Sequence, residues 1–263
     1  MPEASRLGRG PPAERCRRPR RPAGPPGPST RPVHPAGPPN RSATAPKRRR
    51  TDDGTRPAVT ATRTLYLARH GEATPDETTL TEAGDRQAAA LGRRLREARL
   101  SVVHHGPLPR AERTARLVAG HLDGTPLHRS EAAGDYLPHL PRREELPPAF
   151  ADSALRRLDA YPAEDRRRGP ALAREALARF TGPVDAAEPR RELVVTHAFL
   201  IGWLVRAALD APPWRWMGLH PAHAALTVIR YAPGRPASVL ALNDMAHLSP
   251  ELRWTGFPDE LRY

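Results

Sequence analysis

A chain of 263 residues with 38% hydrophobic content is long enough for one domain with a sizeable core and a tail besides. No apolar run approaches the roughly 20 residues of a membrane helix, no apolar segment suited to a secretory signal is read near the start, and the single cysteine, Cys16, excludes an intrachain disulfide. The net charge of +13 is concentrated in residues 1–60, which hold 14 Lys or Arg against 4 Asp or Glu.

Residues 1–60 are dominated by Pro, Arg, Gly and Ala and show no hydrophobic period, so they are expected to form a disordered basic tail. Residues 61–263 are expected to form the folded domain. Nucleic acid or another acidic surface is an expected partner only through the tail, since a binding domain would carry its charge on a folded face. Lys47 stands alone beside 41 arginines, a bias of GC-rich coding, in which a translation start near Val59 is an alternative expectation. A reducing, cytoplasmic location without membrane association fits this composition.

Thr64–Ala68 is a short apolar run with β-branched and aromatic members and reads as a buried strand. It ends directly on Arg69-His70-Gly71-Glu72. Thr81 then serves as N-cap of a helix whose Ala88, Leu91 and Leu95 share one face. Ser101–Val103 reads as a second strand, and a helix follows from about Arg110 to His121 with Ala111, Thr114, Ala115 and Val118 inward. In the Pro-, Arg- and Glu-rich middle, helices are expected over 170–180 and around 152–158.

Glu192–His197 repeats the opening theme, an apolar strand that ends on a histidine. The segment that follows, AFLIGWLVRAAL, is apolar on most sides and reads as a buried helix, with Trp203, Trp214 and Trp216 packing it and its exit. Two closing strands, around 224–231 and 238–243, flank the turn signal APGRP. Strands alternating with helices predict an α/β fold, a three-layer, mixed and mostly parallel sheet with helices on both faces.

In such sheets ligands gather beyond the carboxyl ends of the strands, where His70 and His197 both fall. Arg69 adjoins the first, and Arg110 opens the helix after the second strand. Guanidinium groups grip phosphate oxygens in pairs, and a helix N-terminus adds oriented N–H groups. Two imidazoles with two guanidiniums therefore describe a phosphate pocket, and they suit a metal ion badly. The adjacent His104 and His105 point to opposite faces of a strand and are expected at the surface.

Together these segments resemble the histidine phosphatases of phosphoglycerate-mutase-like fold. Arg69-His70-Gly71-Glu72 matches the R-H-G motif, LTEAGDRQAAALGRRL the helix after it, PLPRAERTA the second-helix motif, and LVVTH the strand of the second histidine. The likeness covers about residues 63–248, and THAFLIGWLVRAALDAPPWRW and LNDMAHLSPEL are similar to the mutase-like protein serine/threonine phosphatase branch. The mutase branch carries Ser and Asn after R-H-G, where this chain has Glu72-Ala73-Thr74-Pro75.

The resemblance implies a phosphomonoesterase that needs neither metal nor other cofactor, acting on a phosphorylated small molecule or a phosphoprotein. His70 would be the nucleophile that becomes phosphohistidine, and Arg69, Arg110 and His197 would hold the phosphate. The family's general acid comes from the region after the second helix, where Glu131 and Asp135 are candidates and the Asp135-Tyr136-Leu137-Pro138 turn favours Asp135. Glu72, Glu131 and His223 are expected at the rim, with His220 a further candidate. Gly106 stands next to where the family usually places a small polar residue ahead of Pro-Leu, a departure expected to remove one hydrogen bond from the rim. Two other readings remain, a phosphate-binding pseudo-phosphatase and a binder of acidic surfaces through the tail.

Overall fold

The computed structural model describes residues 60–262. The tail expected over residues 1–60 lies outside these, apart from Thr60. In chain order the elements are β1 (Thr60–Ala61), β2 (Arg63–Arg69), α1 (Glu82–Leu95), β3 (Val102–His105), α2 (Pro109–Ala119), β4 (Leu127–Arg129), α3 (Pro148–Asp159), α4 (Ala163–Phe180), β5 (Val184–Asp185), β6 (Arg190–Thr196), α5 (Ala198–Ala208), β7 (Leu226–Tyr231) and β8 (Ser238–Asp244). β1 and β5 pair as a small antiparallel ribbon. The other six strands form one sheet in the order β4-β3-β6-β2-β7-β8. β4, β3, β6 and β2 run parallel, and β7 pairs antiparallel to both β2 and β8.

Strand alternation divides the core between two faces. Leu65, Leu67, Val194 and Ile229 pack with the inward residues of α3, α4 and α5. Ala68, Leu193, Val195 and Leu226 pack with Leu91 and Leu95 of α1 and with Ala111, Ala115 and Val118 of α2. Because β6 is covered on both sides, its apolar residues run continuously instead of alternating. Glu192 is buried within it and pairs with Arg63 of β2 at 3.2 Å.

The expected elements form, with differences that have physical causes. Thr81 caps α1 as expected, its Oγ1 accepting from the Gly84 N–H at 3.0 Å. α2 begins one residue earlier than expected because Pro109 fits a first helical position, where no N–H is needed. α4 starts at Ala163 and runs through Pro170, the expected start of the helix. Gly169 precedes that proline because α4 presses on the backbone there: a Cβ would stand 2.1 Å from the Leu137 carbonyl oxygen. The shorter helix expected around 152–158 extends over Pro148–Asp159.

His104 and His105, expected at the surface, are both buried. His104 packs against the Phe180 ring, and burial, with Arg179 nearby, lowers its pKa to about 4. His105 Nδ1 donates to the Gly106 carbonyl at 2.8 Å. β3 is an interior strand with helices over it, which adjacency in sequence does not reveal. Trp203 and Trp216 are buried against α5 and its exit, and Trp203 Nε1 donates to Ala173 O of α4. Among the described residues, no helix is long and apolar enough to cross a membrane.

Candidate active site

Parallel register brings the chemistry to one edge. Arg69 pairs with Thr196, and His105 with Val195, so β2, β3 and β6 all end on the same side of the sheet. The residues just beyond, His70, Gly106–Arg110 and His197, therefore meet there. The ring centroids of His70 and His197 are 5.0 Å apart. They lie in a cavity of about 740 Å³ with Arg69, Arg110, Asp135 and His223 also in its lining.

His70 is held in one tautomer. Its Nδ1 lies 2.7 Å from the Gly71 carbonyl oxygen, an acceptor only, so Nδ1 carries the proton and Nε2 keeps its lone pair. Arg110 Nε donates to that Nε2 at 3.3 Å. The loop is pinned from below, where Gly71 N donates to Thr114 Oγ1 and Thr114 Oγ1 donates to Arg110 O. A Cβ on Gly71 would sit 2.5 Å from Gly84 O, and one on Gly84 would sit 2.1 Å from Glu72 O. Two glycines thus let the loop lie directly on the start of α1.

The cationic groups are set at different depths. Arg110 is buried at the start of α2, donates from Nη2 to Asp135 Oδ2 at 2.9 Å, and pairs through Nη1 with Glu77 at 3.4 Å. Arg69 Nη1 is anchored by the carbonyls of Pro221 and Gly256, at 3.1 and 2.7 Å. Burial, opposed in part by Asp135, lowers its pKa to about 10, which still leaves it cationic at neutral pH. α2 and α5 both start at this cavity with no side chain capping them, so two helix N-termini add positive potential.

Burial, the neighbouring His197 and the Arg69 guanidinium hold the His70 pKa well below the ordinary histidine value. His197 is depressed likewise, by burial and then by Arg110 and Arg69. Neither ring nitrogen of His197 makes a hydrogen bond within the protein, although Nδ1 stands 3.4 Å from Asp135 Oδ2. Buried nitrogens without partners, facing arginines in a cavity, suit an anionic ligand with several oxygen acceptors.

Asp135 is enclosed by protein on most sides and still reached by solvent, its side chain 35% exposed. Loss of hydration raises its pKa, against the opposing pull of Arg110 and Arg69. The other candidates are more scattered. His223 lies 5.3 Å from the His70 ring, donates or accepts at Thr255 Oγ1, and is pushed down to about 2 by burial and Arg69. Its backbone is fixed by neighbouring Ala224, whose φ is +53° and whose N–H reaches the Arg69 and His70 carbonyls.

Glu72 and Glu131, expected at the rim, are not among the cavity-lining residues. Glu72 Oε1 instead accepts from Thr81 Oγ1, and Glu131 pairs with Arg129 and lines a smaller neighbouring pocket that also touches Asp135. His220 lines a separate, smaller chamber. At Gly106 a Cβ would stand 2.4 Å from Ala133 O, so the close approach of that backbone leaves no room for a side chain.

The structure adds residues that sequence reading passed over. Glu77, Tyr161, Asp165 and Phe199 line the cavity. Buried Gln87 accepts from Glu72 N and donates to Leu252 O and Thr255 Oγ1, tying the nucleophile loop to the C-terminal segment beside His223. Gln87 and Thr114 stand in quoted motifs, and their recurrence there was the available signal. Thr255 and Gly256 carried none. Among the described residues no group of three or more His, Cys, Asp or Glu side chains is arranged to hold a metal ion.

An α/β sheet whose strand ends bring two buried histidines and two arginines into one cavity, facing a carboxyl whose pKa burial raises, suits an anionic ligand such as a phosphate group. Residues 65–244 match the family model of the histidine phosphatase superfamily (branch 1), and the chain belongs to that superfamily. It is 29% identical over 203 residues to the mitochondrial serine/threonine-protein phosphatase Pgam5 of Caenorhabditis briggsae, covering 73% of this chain. The chain spans only 66% of that relative's length. The fold is that of mycobacterial hydrolase 1 (TM-score 0.53, 21% identity, covering 70% of this chain and 99% of the other). It is also that of Bacillus stearothermophilus YhfR (TM-score 0.51, 24% identity, 71% and 100%). The relative's mitochondrial name lends no support to the cytoplasmic location expected from composition.

Proposed function

We propose that the chain hydrolyses phosphate monoesters through a phosphohistidine on His70, without a metal ion, acting on phosphoserine or phosphothreonine in a protein. The observation that carries this reading is the single tautomer of His70, which leaves Nε2 as a lone pair beside Arg110 in a cavity of unpartnered cationic and neutral donors. The catalytic domain is proposed to begin by Thr60, whose strand pairs with β5, with residues 1–59 as the segment before it.

His70 Nε2 attacks phosphorus in line, the N–P bond forming as the P–O ester bond breaks. Arg69, Arg110 and His197 donate to the phosphoryl oxygens, where charge gathers in the transition state. Asp135 gives its proton to the departing alkoxide, and as a carboxylate it then takes one from the water that cleaves the N–P bond. Its raised pKa favours the acid form needed at the first step, and the depressed pKa of His70 favours the neutral form needed to attack. The name of the protein-phosphatase relative supports the choice of substrate class.

The test is release of phosphate from phosphopeptides with EDTA present, comparing wild type with His70→Ala. The variant is expected to lose activity by roughly 10³-fold or more, and acid-labile, base-stable phosphate is expected on the wild-type chain during turnover. Equal rates in the two proteins would sink the mechanism.

A further inference from the structure

Next to the reaction cavity lies a second chamber of about 200 Å³, and the two share Leu137, Tyr161 and Phe199. Its remaining walls are Arg157 and Leu158 of α3 with Trp216, Met217, Leu219 and His220 from the segment after α5. The space is several times the roughly 30 Å³ share of one water, and its lining is mostly apolar, with the exposed Arg157 and His220 as its polar members. It is large enough for one aromatic ring or branched aliphatic chain.

Its position relative to the chemistry follows from the chain. Leu137 is two residues beyond Asp135, the group facing the departing oxygen, so the chamber adjoins the leaving-group side of the cavity. Trp216 is 3% exposed, its ring packs edge-on against Phe199, and its Nε1–H has no acceptor in the protein. That nitrogen is itself closed off by protein, so the chamber offers a ligand chiefly apolar surface. A ligand that fits would bring an apolar group into the chamber while its phosphate lies in the cavity. A peptide residue next to a phosphorylated one supplies such a group as its side chain.

We propose that this chamber receives an aromatic or large aliphatic side chain flanking the phosphorylated residue of a phosphopeptide. The proposal rests on the phosphatase reading above. Specificity would then arise from α3 and the segment after α5, apart from the groups that hold the phosphate.

The experiment uses matched phosphoserine peptides with Phe, Leu, Ala or Asp beside the phosphoserine, and 1-naphthyl phosphate as a small aryl ester. Turnover by wild type and calorimetric binding to His70→Ala are both measured. Phe and Leu are expected to exceed Ala by about 10-fold or more, in KM and Kd and not in kcat, the scale for filling an apolar pocket. Asp probes Arg157 in the chamber's lining, and its gain over Ala should stay below that of Phe and Leu. Leu219→Asp, at a half-buried wall position, should collapse that ratio. If the variant does not fold, the wild-type panel decides alone. Turnover that needs His70 but ignores the flanking residue overturns this proposal and leaves the phosphatase reading intact. Preference for the naphthyl ester without any flank effect assigns the chamber to small aryl groups and overturns the peptide assignment. Absence of all turnover removes both readings.

Discussion

Arg69, His70, Arg110 and His197 stand at strand ends or in the first turn of a helix packed on the sheet, so their positions follow from the pairing of β2, β3 and β6. Asp135, Tyr161 and Asp165 come from the long stretch between β4 and β6, set in place by the packing of that stretch, α4 included, and for Asp135 by its ion pair with Arg110. Tyr136 Oη donating to Ala132 O and the contact of Gly169 with the Leu137 backbone are the fastenings of that wall. The floor is thus fixed by backbone hydrogen bonds, and the wall by side-chain fit. A floor built this way can serve one phosphate chemistry while the wall varies with the substrate.

The largest expected effect falls where wall and floor meet. Asp135→Asn keeps the shape and removes the proton, so turnover of alkyl phosphates should drop by roughly 10²–10⁴-fold. An aryl phosphate with a good leaving group should lose far less. A uniform loss across leaving groups would mean that Asp135 only positions Arg110.

A second test addresses the buried histidines of the floor together with His104. Their folded pKa values lie below the ordinary 6.5, so below about pH 6.5 the unfolded chain binds protons that the folded chain refuses. Stability should therefore fall as pH drops through 6.5 and keep falling toward pH 4, by about 1.4 kcal/mol per pH unit for each histidine held neutral. Thermal unfolding at pH 7.5, 6.5 and 5.5 checks this, and a flat Tm would mean that these rings protonate within the fold.

The smallest effect sharpens the wall alone. Gly169→Ala places a Cβ against Leu137 O and should cost about 1–3 kcal/mol, or several degrees of Tm at about 2–4 °C per kcal/mol. If the floor is independent, affinity for inorganic vanadate should change little while kcat/KM on peptides falls. Equal losses in both would join wall and floor into one unit.

Legibility in the sequence followed the same division. The strands and helices of the floor were readable because a buried parallel strand must be apolar and a capped helix must show its period, as Leu193–Val195 and Thr81 with Leu91 do. The burial of His104 and His105 was not readable, since a histidine in a strand looks the same under a helix as under water. The roles of Thr255 and Gly256 beside His223 and Arg69 were equally hidden, because they depend on where the C-terminal segment turns back.

Local patterning by itself determined the α/β class, the strand ends that carry His70 and His197, and the arginines beside them. Those features arise from short-range rules of period, capping and strand termination. Only the tertiary structure decided that Asp135 lines the main cavity and Glu131 a smaller pocket beside it, that Glu77 pairs with Arg110, and that a mostly apolar chamber adjoins the cavity. Each depends on how segments distant in the chain pack against one another, and no local pattern records that packing.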